Sequence, residues 1–240
     1  MIIFAQFLLA DKKKKNDKRR VNKTIGMDGQ DEENGRIPGI ERLLLAIEEG
    51  RAFGGIRNVE ATEILRRSKE TDFGAHERRL TKYAIENGCW FDLKEDIKNT
   101  FKYLGSGAES DVYLDNDGKH VLKVVNYRAF SETPLEFLNN RISVHNAIFP
   151  GTAYELVGFT YSHEIDEEGF YFITRQDFID SRKPRPTQEE IDEYMEKRGF
   201  VIRDDSCVIE GYLITDLAPR NFVKDNDGKL YCIDPMIRLN

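Results

Sequence analysis

Apolar positions follow two different rhythms along this chain. Between residues 38 and about 95 they recur at helical spacing, and beyond residue 98 they fall into short runs of strand length. Ile40, Leu43, Leu44 and Ile47 mark a first helical stripe that ends near Gly50, and Phe53, Gly54 and Gly55 break the pattern. A second helix is expected over about 59–68 and a third over about 75–87, closing at Gly88. Cys89, Trp90 and Phe91 follow as an apolar plug, and His76, isolated in sequence, is expected at the surface. After residue 98, Phe101–Leu104, Val112–Leu114 and His120–Val125 are strand candidates. Asp115, Asn116, Asp117 and Gly118 join the last two, and an Asp-Gly pair between apolar runs signals a hairpin because the turn needs positive φ. The same five residues found at 115–119 recur at 225–229, again between apolar runs, and a calcium loop would need its glycine and acids at other offsets.

Thr133 suits a helix N-cap, Pro134 the first helical position, and Glu136 completes a capping box. The apolar face of that helix is Leu135, Leu138, Ile142 and Phe149, and Pro150-Gly151 stops it. Strands are expected over about 154–162 and 169–175, then a helix capped by Thr187 and Glu190 that ends at Gly199. Short strands near 200–203, 212–215, 222–224 and 230–233 complete the pattern, which is α+β.

A length of 240 residues allows one domain with an appendage. The expected division is a leader and linker at 1–37, a helical extension at 38–97 and the main domain at 98–240. Met1–Ala10 is apolar and is followed by the basic run Lys12–Lys15 and Lys18–Arg20, the reverse of a secretory signal and too short to span a bilayer. A net charge of −7 argues against a nucleic-acid partner. Cys89, Cys207 and Cys232 are too few and too scattered for a disulfide framework or a structural zinc site, so a cytoplasmic protein with no membrane partner is expected. His120, His145 and His163 lie on or near core elements without metal-ligand spacing and read as structural.

Three segments carry chemistry. Gly105-Ser106-Gly107-Ala108-Glu109-Ser110-Asp111-Val112 joins two strands, where glycines let backbone N–H groups approach phosphate oxygens. Lys123 sits inside an apolar strand, where its ammonium either meets an anion such as phosphate or, on an edge strand, snorkels to water. Asp216-Leu217-Ala218-Pro219-Arg220-Asn221, followed by Asp234 beyond a hairpin, resembles the D-L-x-x-x-N catalytic loop and metal-binding aspartate of kinases. Phosphoryl transfer needs positioning and charge neutralisation, which a carboxylate base and an amide-plus-carboxylate pair on magnesium supply.

Four stretches, Tyr103–Tyr113, Thr133–Phe159, Pro186–Phe200 and Gly211–Ile237, resemble the kinase-like domain of polyvalent proteins of phages and conjugative elements. Residues 54–60 and 90–92 resemble what precedes that domain, so the likeness covers about 50–240. The resemblance implies a protein-kinase-like N-lobe with a minimal, truncated C-lobe. It also implies ATP and Mg2+ as cofactors and a protein or small-molecule acceptor as partner. Gly105, Ser106, Gly107 and Val112 would then cover the nucleotide, and Lys123 would hold its α/β-phosphates. Asp216 would be the base, with Asn221 and Asp234 on the metal. Gln176 and Phe178 would lie in the connector against adenine, and Glu136 would be either the acid partner of Lys123, a helix cap, or both.

The chain departs from that pattern at Ser110 in place of a third glycine, at Ile214-Thr215 before Asp216, and at Pro235-Met236 after Asp234. With Asn240 as the last residue, no activation segment is expected to follow. Two other readings stay open: a small-molecule kinase of the aminoglycoside-kinase type, which Ile233-Asp234-Pro235 also resembles, and a nucleotide-binding pseudokinase that acts on a host protein.

Overall fold

A computed structural model describes residues 54–240 other than 70, 71, 108, 130, 164–167 and 210. The expected leader, the first helical stripe and Phe53 lie outside the described residues. The described chain opens with α1 (Ile56–Arg66) and α2 (Phe73–Glu86), whose start is capped by Asp72 accepting from the Ala75 N–H at 2.9 Å. Asp92 caps a short turn of wider helix at Leu93–Lys98. Five strands follow: β1 (Lys102–Ser106), β2 (Ser110–Leu114), β3 (His120–Val125), β4 (Glu155–Ser162) and β5 (Gly169–Asp177). They form one antiparallel sheet in the order β1-β2-β3-β5-β4. Between β3 and β4 runs a helix, α3 (134–148), built from Pro134–Glu136, Phe137–Val144 and His145–Ile148; its middle stretch is wound with i→i+5 hydrogen bonds. The architecture is α+β, as the alternation of periods predicts.

After β5 come α4 (Gln188–Glu196), β6 (Cys207–Ile209), β7 (Tyr212–Thr215), β8 (Phe222–Lys224), β9 (Leu230–Cys232) and β10 (Met236–Leu239). The capping box of Thr187 and Glu190 is present at α4. β10, β7 and β6 make a three-stranded sheet, and β8 and β9 a hairpin. One correction falls here. The strand expected near 200–203 is only an isolated bridge between Arg203 and Ser206, and the pairing partners of β7 are Cys207–Ile209 and Met236–Leu239. Three- and four-residue strands carry too few side chains to show a period, so pairing alone defines them.

Two hydrophobic cores result. Ala61, Leu65, Leu80 and Ala84 of the helical stretch share the first core with Leu122, Phe159, Phe170 and Phe172 of the sheet. The boundary expected at 97/98 therefore does not separate two cores. His76 is a second correction: it is 2% exposed, because α2 turns that side inward. α3 spans both cores, with Phe137, Leu138 and Ile142 in the first and Val144, Ala147 and Ile148 in the second alongside Ile214, Phe222 and Cys232. Among the histidines read as structural, His145 is fully buried but His163 is exposed against the Tyr161 ring. His120 lies with Asp115 and Asp117, and the guanidinium of Arg175 bonds all three. No helix among the described residues is long and apolar enough to cross a membrane.

The segment 89–91 runs beside β4, with Phe91 N–H donating to Phe159 O at 2.9 Å and Phe159 N–H to Cys89 O at 3.0 Å. Gly158, at a bulge in β4, makes this crossing possible, since a Cβ there would lie 2.2 Å from the Cys89 carbonyl oxygen. Replacing Gly158 with alanine is expected to lower stability by about 1–3 kcal/mol, read by urea unfolding; a variant as stable as the parent would contradict the close crossing.

Candidate active site

Lys123 lies near the middle of the five-stranded sheet, opposite Val112 on β2 and Thr174 on β5. Its residue is 6% exposed. The ammonium donates to Tyr154 Oη at 3.1 Å and to Ile233 O at 3.3 Å, and stands 3.6 Å from Asp234 Oδ1. Burial lowers its pKa below the ordinary lysine value, and the nearby Arg141 adds to the fall while Tyr154 opposes it. The segment that receives this lysine is the one just after β9, and other bonds hold it too. Thr152 Oγ1 donates to Cys232 O at 2.5 Å, and Tyr154 Oη donates to Ile233 O at 2.9 Å. Tyr154 Oη also lies 3.1 Å from Asp234 Oδ1. Burial alone would raise the Tyr154 phenol, but the cations of Arg141 and Lys123 outweigh it and lower the pKa.

Asp216 follows β7 with φ 61°, a left-handed conformation that a non-glycine residue adopts at some energetic cost. The amide nitrogen of Asn221 donates to the Asp216 backbone carbonyl at 2.8 Å and to its Oδ2 at 2.6 Å, while Arg220 pairs with Oδ1. Ile233 N–H donates to Asn221 O at 2.8 Å, so one continuous set of bonds joins Asp216, Asn221 and the residue before Asp234. With its amide nitrogen committed to Asp216, Asn221 has its amide oxygen as the group left to offer a cation. An amide oxygen and a carboxylate are the hard oxygen donors that suit magnesium.

The loop between β1 and β2 closes over this region. Ser110 lines the same small cavity as Lys123 and Asp234. Glu109 faces Arg141, Asp216, Arg220 and Lys123; burial raises its carboxyl pKa, against the pull of Arg141. Neither Gly105 nor Gly107 has positive φ, and a Cβ on either would meet nothing among the described residues nearer than 3.9 Å. No internal contact therefore demands glycine at these two positions. The Ser106 hydroxyl is turned onto its own loop, bonding Asp111 and Tyr103.

Three further residues expected at the site make contacts of their own: Glu136, Gln176 and Phe178. Glu136 accepts from the Glu132 N–H at 2.9 Å, and its own N–H donates to Thr133 Oγ1 at 3.2 Å. Thr133 caps the helix, but the Glu136 carboxylate bonds the N–H one residue before the N-cap, so the expected capping box is only half formed, and Lys123 is met by Asp234. Gln176 is 3% exposed and donates to Thr152 O at 2.5 Å, so its side chain braces the fold from the end of β5. Phe178 lies beyond β5, exposed, with its N–H on Lys119 O. Cys232 is fully buried, and burial pushes its thiol pKa well up.

The sequence reading missed Arg141, Tyr154 and Glu109. Arg141, on the buried side of α3, bonds Asp234 Oδ1 and Pro235 O with its two terminal nitrogens. Its signal was legible: a charge between Leu138 and Ile142 on the apolar stripe of a helix. Tyr154 and Glu109 carried no comparable mark.

Residues 74–240 match the model of a family described as a serine/threonine/tyrosine kinase found in polyvalent proteins. The chain belongs to this family. A comparison with curated proteins gives no match. The polyvalent-protein kinase match starts within α2 and runs through β10, so it takes in every residue of the cluster around Lys123 and Asp216. Family membership supports kinase-type activity in general.

His145, on α3 behind the cluster, donates Nε2–H to Thr152 O at 3.0 Å. Burial, reinforced by Arg141, holds its imidazole well below the ordinary pKa, so it is neutral in the fold and takes a proton below about 6.5 only on unfolding. Stability from this group is present above that pH and lost as pH falls. The thermal midpoint should drop between about pH 7 and pH 5, and His145→Gln should flatten that drop; an unchanged slope would contradict the assignment.

Proposed function

We propose that this protein is an ATP- and magnesium-dependent phosphotransferase that moves the γ-phosphoryl group to a hydroxyl, with a protein as acceptor. One observation carries the reading. Lys123 from β3, Asp216 and Asn221 from the β7–β8 connection, and Asp234 after β9 converge through a continuous set of bonds. On this reading the five-stranded sheet with α3 is the small kinase lobe, and α4 with β6–β10 is what corresponds to the large one. Gly105 and Gly107 let backbone N–H groups approach the phosphates, Val112 covers the nucleotide, and Phe178 lies by the adenine. Lys123 holds the α/β-phosphates. Asn221 and Asp234 hold magnesium, which neutralises charge on the phosphates when bound. The acceptor oxygen forms a bond to the γ-phosphorus as the bond to the β–γ bridging oxygen breaks. The hydroxyl proton passes to Asp216 and ADP leaves. A mobile-element setting and a cytoplasmic location go with this proposal.

A second reading has its own observation. Both carboxylate oxygens of Asp216 are engaged, by Arg220 and Asn221, which suits a domain that binds nucleotide without transferring phosphate. Calorimetry with labelled ATP tests both. Magnesium is expected to raise ATP affinity at least tenfold in the wild type, and Asp234→Ala to remove that increment. Asp216→Asn is expected to leave ATP affinity within about threefold while transfer falls by about 10²–10⁴. Label on protein supports the protein-kinase reading, and label on an added small hydroxyl compound supports the small-molecule alternative. Binding without transfer to any acceptor supports the pseudokinase, and no binding removes the proposal.

A further inference from the structure

In kinases the strand lysine is paired by a glutamate from the neighbouring helix. Here that helix, α3, presents Arg141 to the same space. The Arg141 side chain is 6% exposed and that of Lys123 is 8% exposed. Their shared carboxylate partner is Asp234, with Oδ1 on the guanidinium and 3.6 Å from the ammonium. Arg141 lies at the seam of the two cores, over the Tyr154 ring at 5.6 Å, in a stretch of α3 wound with i→i+5 hydrogen bonds, a geometry that recurs at functional sites. The carboxylates near these two cations are Asp234 and Glu109, and burial raises the Glu109 pKa, so Asp234 is the stronger counter-ion. Committing Asp234 to a divalent cation would leave positive charge in a poorly solvated pocket, which an incoming anion relieves. One terminal nitrogen of the Arg141 guanidinium is anchored on Pro235 O, and the other, which bonds Asp234, is the donor that a phosphate oxygen would take over.

We propose that Arg141 is a phosphate-binding residue of the nucleotide site, a second cation beside Lys123 that Asp234 holds in position until a divalent cation claims that carboxylate. The inference rests on the reading of this cluster as a nucleotide site. It assigns the helix a role opposite in charge to the usual one: the helix contributes a cation to the polyphosphate, and the lysine takes its carboxylate from the metal-binding position. Specificity follows from the charge count. The pocket should favour a tri- or diphosphate over a monophosphate, because two desolvated cations reward each added anionic oxygen pair.

The test measures binding of ATP and of inorganic tripolyphosphate by calorimetry, in EDTA and in magnesium, with folding checked by circular dichroism and thermal midpoint. Arg141→Gln is expected to weaken tripolyphosphate at least tenfold under both conditions, and Arg141→Lys to weaken it less. Asp234→Asn is expected to strengthen tripolyphosphate binding several-fold in EDTA by releasing the two cations, and that gain should shrink in the Arg141→Gln background. An Arg141→Gln protein that binds tripolyphosphate within twofold of wild type, or an Asp234→Asn gain of the same size in both backgrounds, overturns the proposal and leaves Arg141 as a brace for residues 234–235. If Arg141→Gln does not fold, Arg141→Lys decides. Weakened tripolyphosphate binding or a smaller Asp234→Asn gain in the Arg141→Lys background supports the assignment, and wild-type behaviour in both overturns it. A wild type that binds ATP while Arg141→Gln binds it equally well removes only Arg141; a wild type that binds neither ligand removes the nucleotide-site reading itself.

Discussion

A lysine near the centre of a β-sheet is a demand for a partner. Lys123 is flanked in its strand by Leu122 and Val124, which belong to the first hydrophobic core, and its own side chain is almost wholly buried. An unmet buried charge costs several kcal/mol, comparable to the whole stability of a small domain. The groups that meet it all come from outside the strand: Tyr154 just before β4, the Ile233 carbonyl and the Asp234 carboxylate. Satisfying one side chain thus ties the sheet to the chain's last forty residues, and residues 232–235 become the point on which both halves converge. Thr152, Gln176, Tyr154 and Arg141 all direct polar groups to that same segment.

The arrangement has a chemical consequence. Charges at the centre are few and mutually committed: Asp234 to two cations, Asp216 to Arg220 and Asn221. Each pairing fixes its groups relative to one another, so a ligand that claims one of them displaces a partner already in place. The left-handed backbone at Asp216 belongs to the same economy of position, since it aims a short side chain at Asn221 from the end of β7. Glu109 brings the glycine loop near Arg141 and Arg220 as well as Asp216, and burial raises its carboxyl pKa despite the two cations.

α3 is the element that makes the two halves one structure. Its first turns pack under the sheet and its last turns pack against β7, β8 and β9, and Arg141 emerges where the one core gives way to the other. The helical stretch before the sheet is bound in as firmly, through the crossing of residues 89–91 over Gly158. The described part of this stretch shares the sheet's core and so contributes stability to the site's scaffold.

Much of this was written locally. Thr133 and Thr187 announce helix starts because capping is a contact of three residues. The repeated turn residues mark both hairpins because positive φ at Gly118 and Gly228 is a backbone requirement. Lys123, Asp216, Asn221 and Asp234 stood out because their residue types and spacing are those of phosphoryl-transfer chemistry. Partnership was not local, and there the sequence alone was insufficient. Whether Glu136 caps or pairs, whether His76 faces water, and which short runs join β7 depend on what lies opposite in space. Sequence alone therefore determined the elements and the chemical groups. The tertiary structure decided which of those groups meet, because a buried charge is satisfied by whatever residue the packing of the two cores brings within reach, and for Lys123 and Arg141 that residue lies about a hundred positions away along the chain.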